Sequence, residues 1–199
     1  MSKRKQAMNL AIKCNWNDAN YQGVCSDEAH AYNVNVKKAA WCSSEECGCR
    51  AYVGEEIRED NYPCMESQIF VNHCCHITGN PYQVKQSELG KYVLLTTRLP
   101  DTPESDRFVF GYLVIDDIFE NGELQYPATT LVGDPEQSFS LPIDVAVKMK
   151  FWKYYKNAGN GQPQWGSGLF RYLSDESVTR FLHDLRTERG NQKNAANRR

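Results

Sequence analysis

Residues 107–119 read RFVFGYLVIDDIF, and this stretch gives the strongest strand signal in the chain. Its apolar residues fall on both faces of an extended backbone, with Phe108, Phe110, Tyr112 and Val114 on one face and Val109, Leu113 and Ile115 on the other. A strand that is apolar on both faces is typical of the interior of a sheet. The stretch therefore predicts a buried central strand around which the rest of the fold is arranged.

Further strands are predicted before this one. Residues 91–99, KYVLLTTRL, are rich in β-branched and aromatic side chains, and Pro100 ends them. The polar segment 101–106 then predicts a hairpin that joins this strand to the central one. Residues 10–14 and 68–77 are also strand-like.

The last third of the chain mixes two patterns. Residues 145–155 alternate apolar residues with lysine, as a strand does, but they also fit one face of a helix, and the pattern does not separate the two. Ser174 is a typical N-cap residue, and Gly190 a typical helix end. Helical spacing between them is shown by Val178, Phe181, Leu182 and Leu185.

Together these elements predict an α+β protein with a small, mostly antiparallel, barrel-like sheet and flanking helices. With 199 residues, of which 41% are hydrophobic, the chain can bury one substantial core or two small ones. We expect a cysteine-rich metal-binding region over residues 1–80, a barrel-like domain over 81–190 and a disordered tail over 191–199. A single compact domain is the alternative.

Composition bears on the environment of the protein. No stretch approaches the roughly 18 consecutive apolar residues of a membrane span. The first residues are basic, but the apolar stretch after them is too short and too polar for a signal peptide. We therefore expect a cytoplasmic protein with no membrane partner. The net charge of −2 indicates that any nucleic-acid binding depends on a local basic surface.

All eight cysteines lie between Cys14 and Cys75, and three of the four histidines share this window. In a reducing compartment such a cluster favours a metal site over disulfides. Scattered thiolates suit a zinc ion and an iron–sulfur cluster equally well. The predicted ligands are Cys25, Cys42, Cys49 and Cys64, with Cys47 and Cys14 in reserve. The alternative is that all eight are ordinary thiols.

A second feature is the interleaving of lysine with aromatic residues in 148–157, KMKFWKYYKN, followed by QWGSGLFRY at 164–172. Ammonium groups pair with phosphates, and rings stack on unpaired bases. The candidate nucleic-acid contacts are Lys148, Lys150, Trp152, Lys153, Lys156, Trp165 and Arg171. The competing interpretation is an amphipathic element whose rings are buried and whose lysines are solvated.

Carboxylates follow the best strand, at Asp116, Asp117 and Glu120. Acidic residues in this position bind metal in many nucleases, although strand ends also carry solvated carboxylates routinely. A nuclease or nucleotide-modifying enzyme, using these residues or the cysteine site, is therefore an alternative function. No nucleotide-binding, hydrolase or zinc-protease motif is present.

The second half of the chain resembles the PUA-like group of small β-barrels, which includes EVE, YTH and ASCH domains. The resemblance lies in 91–99, in 107–115, and in 151–155 leading to 165–169. It implies a pocket in which aromatic rings hold a nucleobase, often a modified one, with Trp152 and Trp165 as the first candidates. We thus expect a metal-stabilised protein that binds DNA or RNA. A structural subunit that contacts a protein partner is a further alternative.

Overall fold

Strand β4, Phe108–Asn121, lies in the interior of the sheet, as the sequence predicts. The structure is a computed structural model, and it describes residues 7–19, 25–39, 41–43, 68–71, 84–121, 128–156, 162–166 and 168–196. Residues 108–115 are buried on both faces of the sheet, which their apolar character allows. The strand then has a bulge between Ile115 and Asp117, where its side chains become exposed.

The described residues form six further strands of the same sheet. They are β1 Asn9–Lys13, β2 Gln68–Val71, β3 Tyr92–Thr97, β5 Ala128–Gly133, β6 Phe139–Ser140 and β7 Phe170–Leu173. The strand order is β2-β5-β4-β3-β1-β7, and β6 pairs with β4. Every pair is antiparallel except β1–β3. The predicted mostly antiparallel sheet and the hairpin between β3 and β4 are confirmed.

Three α-helices are described, namely α1 Asp27–Ala31, α2 Ile143–Ala146 and α3 Asp175–Ala196. Ser174 caps α3 as predicted, because its Oγ accepts a hydrogen bond from the backbone N–H of Ser177 at 3.2 Å. The helix continues past Gly190, where the sequence predicted its end. In the described part of the chain, no helix has both the length and the apolar character that crossing a membrane requires.

The ambiguous segment 145–155 forms neither one strand nor one helix. It contains the end of α2, a single β-bridge between Lys150 and Phe108, and a 3₁₀ turn at Phe151–Lys153. This path lies against the start of β4, since the N–H of Phe151 donates to the carbonyl of Arg107 at 2.8 Å. The aromatic part of the segment is thereby fixed beside the sheet.

Helix α3 packs on the sheet through its apolar face and is fixed at its start by polar contacts. The ring of Phe181 meets those of Tyr112 and Tyr154 edge-on, at centroid distances of 5.9 and 5.5 Å. At the first turn, Asp175 accepts hydrogen bonds from Asn9 at 2.7 Å and Lys91 at 2.8 Å. These contacts set the helix against β1 and β3.

The α+β class is confirmed, but the described strands do not close into a barrel. Closure would require β2 to pair with β7, and these strands stand at opposite ends of the order. The barrel-like prediction is therefore wrong for this part of the chain. Strands β1 and β2 come from the first 80 residues, yet they pair with β3, β7 and β5, so the sheet continues across residue 80.

The closest approach between β4 and β6 gives a stability test. A Cβ atom at Gly111 would lie 2.9 Å from the backbone carbonyl oxygen of Phe139, which cannot rotate away. We expect Gly111→Ala to lower the free energy of unfolding in urea by about 1–3 kcal/mol. Gly190→Ala is the matched control, because nothing lies within 4 Å of its added methyl group. It should stabilise α3 by about 0.5–1 kcal/mol. Unchanged stability of Gly111→Ala would contradict the β4–β6 register.

Candidate functional site

Four basic residues meet at one end of the sheet. Lys13 ends β1, Arg98 follows β3, Arg107 precedes β4, and Arg171 is the second residue of β7. Strands β1 and β3 run parallel to each other and antiparallel to β4 and β7. The C-terminal ends of the first two and the N-terminal ends of the last two therefore share one edge of the sheet.

The strand register also puts these residues on one face. Paired residues are Lys13 with Thr96, Thr96 with Val109, and Ala11 with Arg171. Side chains two positions apart along a strand point to the same face. Arg98 lies two positions after Thr96, and Arg107 lies two positions before Val109. Both arginines therefore lie on the same face as Lys13 and Arg171. We call these four residues the basic cluster.

Arg107 is the buried member of the basic cluster, with only 2% of its surface exposed. Its Nε and Nη2 donate to the carboxylate of Glu104, the second bond measuring 3.1 Å. Its Nη1 lies 3.5 Å from the carbonyl oxygen and 3.4 Å from the hydroxyl of Thr96. Its Cζ is 4.9 Å from the ring centroid of Trp165, which adds a cation–π contact. These contacts replace the water that burial removed.

Glu104 connects the basic cluster to the aromatic residues. It begins the 3₁₀ turn Glu104–Asp106 in the β3–β4 loop, and its Oε2 lies 3.3 Å from Arg98 Nε. Its backbone carbonyl accepts a hydrogen bond from the indole N–H of Trp152. The guanidinium groups of Arg98 and Arg107 thus share the carboxylate of Glu104.

Trp165 is buried in contact with the guanidinium groups of Arg107 and Arg171, and two glycines shape its loop. The indole N–H donates to the carbonyl of Gly168 at 2.9 Å, and Arg171 Cζ lies 5.2 Å from the ring centroid. Gly166 and Gly168 have φ of +69° and +90°, a conformation that side chains disfavour. A Cβ at either position would come within 3.5 Å of the Arg171 guanidinium. Glycine therefore lets this guanidinium pack closely against the loop.

An aromatic cluster adjoins these residues. It consists of Phe151, Trp152, Tyr155 and Trp165. The ring of Phe151 lies 5.1 Å from Trp152, 5.2 Å from Trp165 and 5.6 Å from Tyr155, onto which it stacks at 14°. Phe151 and Trp165 are buried, whereas Trp152 and Tyr155 are half-buried. The two tryptophans that the sequence singled out therefore meet at one ring, with part of Trp152 and Tyr155 open to solvent.

Burial and the neighbouring charges affect the protonation of Lys13. Its side chain reaches solvent, yet partial desolvation lowers the pKa of its amine below 10.5, and repulsion from Arg107, Arg98 and Arg171 adds to this. The carboxylate of Glu104 opposes the shift. Burial raises the pKa of the neighbouring Cys14 thiol to about 12, which keeps it protonated at neutral pH. The Lys13 ammonium group is thus close to the guanidinium groups of Arg98, Arg107 and Arg171.

The lysines that the sequence singled out lie in a different setting. Lys148 pairs with Glu188, Lys153 with Asp184 at 2.7 Å, and Lys150 with Asp106 at 3.2 Å. Lys156 is exposed. Two of these carboxylates belong to α3, so their lysines fasten the segment to the helix. Of the candidate nucleic-acid residues, Trp152, Trp165 and Arg171 join the basic and aromatic clusters.

The carboxylates of the enzyme alternative lie apart from this end of the sheet. Asp116 and Asp117 are exposed at the bulge of β4, nine and ten residues beyond Arg107. The Asp117 carboxylate accepts a hydrogen bond from the backbone N–H of Ile118 at 2.7 Å. The side chain of Glu120 lies outside the described residues.

Two of the four predicted metal ligands, Cys25 and Cys42, are described, and both are buried. The side-chain amide of Asn15 donates to Cys42 Sγ at 3.3 Å, and His30 Nε2 lies 2.9 Å from the Cys42 carbonyl oxygen. Within the described ranges no three His, Cys, Asp or Glu side chains are placed to hold a metal ion. Cys47, Cys49 and Cys64 lie outside them.

Sequence reasoning missed Lys13, Arg98, Glu104 and Arg107. The signal of the three basic residues was their position at or next to a strand end, which has meaning only once the parallel pairing of β1 with β3 is known. Glu104, in the loop between β3 and β4, gave no signal of its own. Comparison of the chain with family models, with curated proteins and with solved structures gives no match.

The repulsion at Lys13 gives a prediction for stability. Because its pKa is lower in the folded protein than in the unfolded chain, protonation at neutral pH disfavours folding. We expect Lys13→Gln to raise the melting temperature at pH 7 by on the order of 1–3 °C. The gain should fade in high salt and as the pH rises toward 10.5, where the amine loses its proton.

Lys156→Gln is the matched control, since it removes an equally exposed charge outside the basic cluster. Its melting temperature should stay within about 1 °C of the parent. A lower melting temperature for Lys13→Gln than for the parent protein at pH 7 would contradict the repulsion.

Proposed function

We propose that the basic and aromatic clusters together bind nucleic acid at an unpaired nucleotide. The observation that carries this proposal is that four basic side chains lie together around Glu104 and Trp165, beside two half-buried rings. Phosphate groups pair with guanidinium and ammonium groups, and unpaired bases stack on exposed aromatic faces. Both kinds of group lie here at the same end of the sheet.

Each part has a separate task in this proposal. Lys13 and Arg171 lie toward the surface and would contact phosphate oxygens. Trp152 and Tyr155, whose rings are 6.0 Å apart, would offer stacking surface to a base. Arg107 is buried, so it would act by holding Trp165 and by adding to the local potential.

The resemblance to PUA-like domains remains part of the proposal. The convergence of Trp152 and Trp165 on Phe151 supports it, because such domains hold a base between rings. The open strand order does not resemble a closed barrel. Recognition of a modified base, in either DNA or RNA, therefore rests on the aromatic cluster alone.

Salt-dependent binding tests the proposal. Binding of a single-stranded oligonucleotide, followed by fluorescence anisotropy, should weaken in the double variant Lys13→Gln/Arg171→Gln. Each lost phosphate contact removes about 0.7 from the slope of log K against log salt, so the slope should fall by about 1.4. The single variant Lys13→Gln, which leaves Arg171 and its contacts in place, should lose about half of this.

The matched control is Lys148→Gln/Lys153→Gln, which also removes two positive charges. Both of these lysines already pair with carboxylates of α3, so the control should keep most of the parent slope. If the slope falls more in the control than in the cluster variants, the nucleic acid binds at the lysine segment and not at the basic cluster. Full binding by both Lys13 variants would end the proposal.

We further propose that the cysteine-rich part holds a zinc ion or an iron–sulfur cluster as a structural staple. The hydrogen bond from Asn15 to Cys42 Sγ is compatible with this, because a metal-bound thiolate accepts such bonds, as the sulfur of a neutral thiol does more weakly. Cys25 and Cys42 remain the described candidates, with Cys49 and Cys64 taken from the sequence. Cys47 and Cys14 stay in reserve.

Elemental analysis of protein purified without oxygen tests the staple. We expect zinc or iron in the parent protein, with a brown colour if the iron forms a cluster. Cys42→Ser and Cys49→Ser should lose metal together with soluble yield, because binding and folding are coupled. Cys14→Ala should retain the metal. Folded parent protein with neither element would refute the staple without affecting the nucleic-acid proposal.

A further inference from the structure

We infer that a second surface of the protein binds an acidic peptide segment of a partner protein, in which a carboxylate stands beside a bulky apolar side chain. The surface lies where α3 passes from β4 to β6, since Phe181 contacts β4 and Arg189 contacts β6. We call it the Phe139 surface, and it consists of Tyr92, Tyr112, Phe139, Arg186 and Arg189. The inference does not depend on the proposed function.

Three rings form a row across neighbouring strands. Tyr92 of β3 lies 5.9 Å from Tyr112 of β4, and Tyr112 lies 5.8 Å from Phe139 of β6. Tyr112 is buried, whereas 43% of Phe139 is exposed. Ile143, four residues further along the chain, is 42% exposed. The row thus ends in apolar surface that solvent reaches, and exposed aromatic residues are enriched at protein interfaces.

The hydroxyl of Tyr112 is the polar part of this row. Although Tyr112 is only 8% exposed, its hydroxyl forms no hydrogen bond with another residue of the described part of the chain. A buried tyrosine hydroxyl usually has such a partner. Burial raises the pKa of Tyr112, and Arg189 and Arg186 oppose this, which places both guanidinium groups near the hydroxyl. One unpaired O–H donor therefore lies close to two cations.

Arg186 and Arg189 are exposed and stand one turn apart on α3. The guanidinium group of Arg189 lies 5.9 Å from the ring centroid of Phe139, as in a cation–π contact. Neither arginine forms a salt bridge with a carboxylate of the described residues. Asp184 and Glu188 of the same helix pair with the lysine segment on its other flank. The arginines of α3 are therefore available to a ligand at the Phe139 surface.

These groups match a carboxylate beside an apolar side chain. Guanidinium groups pair with carboxylates, and a tyrosine O–H donates a hydrogen bond to them. A bulky side chain next to the carboxylate would cover the exposed parts of Phe139 and Ile143. A nucleic-acid backbone would pair with the arginines but presents no apolar side chain to these two residues. Tyrosine and arginine are also the residues that often contribute most to binding between proteins.

Selection from a library of short random peptides tests the inference, with the parent protein and Arg186→Gln/Arg189→Gln as targets. We expect the parent to enrich peptides that place Asp or Glu beside Phe, Leu, Ile or Trp. Measured by fluorescence anisotropy, their affinity should fall about three- to thirtyfold in the double variant, because two ion pairs are lost. Tyr112→Phe, which removes only the hydroxyl, should weaken binding by about two- to tenfold.

The matched control is Arg180→Gln, which also removes an arginine of α3 but one that pairs with Glu176. It should keep the affinity of the parent, and thermal melting of each variant shows whether the fold is retained. Enrichment of neutral peptides, equal affinity of the acidic peptides for the double variant, or no enrichment at all would overturn the inference.

Two other occupants of the Phe139 surface are distinguished by the same materials. Displacement of the selected peptide by a single-stranded oligonucleotide would assign the surface to nucleic acid. A dimer of the parent protein that Phe139→Ser converts to a monomer would assign it to a second copy of this chain. Either result would overturn the inference. The oligonucleotide binding of the Lys13 and Arg171 variants tests the proposed function separately, so that the two can fail independently.

Discussion

A guanidinium group keeps its proton throughout the pH range in which proteins fold, so the burial of Arg107 constrains everything near it. A buried charge without partners costs several kcal/mol. The chain meets this demand with Glu104 from the β3–β4 loop, Thr96 from β3 and the ring of Trp165. The solvation of one side chain thus fixes three separate segments relative to one another. The backbone carbonyl of Glu104 also accepts a hydrogen bond from the indole N–H of Trp152, which attaches a fourth segment.

The position of β1 determines what else gathers around Arg107. Because β1 lies between β3 and β7 and runs parallel to β3, it carries Lys13 to the edge at which β4 and β7 begin. An antiparallel β1 would place Lys13 at the opposite end, beside Asp175. The N-terminal strand thus completes the basic cluster, and the sheet and the candidate site share a dependence on residues 9–13.

The structural features that can be predicted from the sequence are those that neighbouring residues determine. The apolar run of β4, the β3–β4 hairpin and the capped start of α3 depend on neighbouring residues, and each is present. The open sheet and the neighbours of β1 depend on pairing between distant strands, which no local pattern records.

The candidate site divides in the same way. Trp152, Trp165 and Arg171 stood out by composition, whereas Lys13, Arg98 and Arg107 are brought together only by register. Adjacency to rings singled out Lys148 and Lys153 as well, although carboxylates of α3 pair with them.

Charge compensation separates this end of the sheet from other described parts of the molecule. Lys91 pairs with Asp175 at the opposite end of β1, and Lys148 and Lys153 each have a carboxylate of their own. In the basic cluster, by contrast, like charges share one face of neighbouring strands, an arrangement that destabilises a sheet. At one end of β1 a carboxylate pairs with the nearby cation, whereas at the other end several cations lie close together. Natural proteins give up stability in this way where a ligand supplies the missing charge. The end of β1 that carries Lys13 is therefore the end at which the proposed anionic ligand would bind.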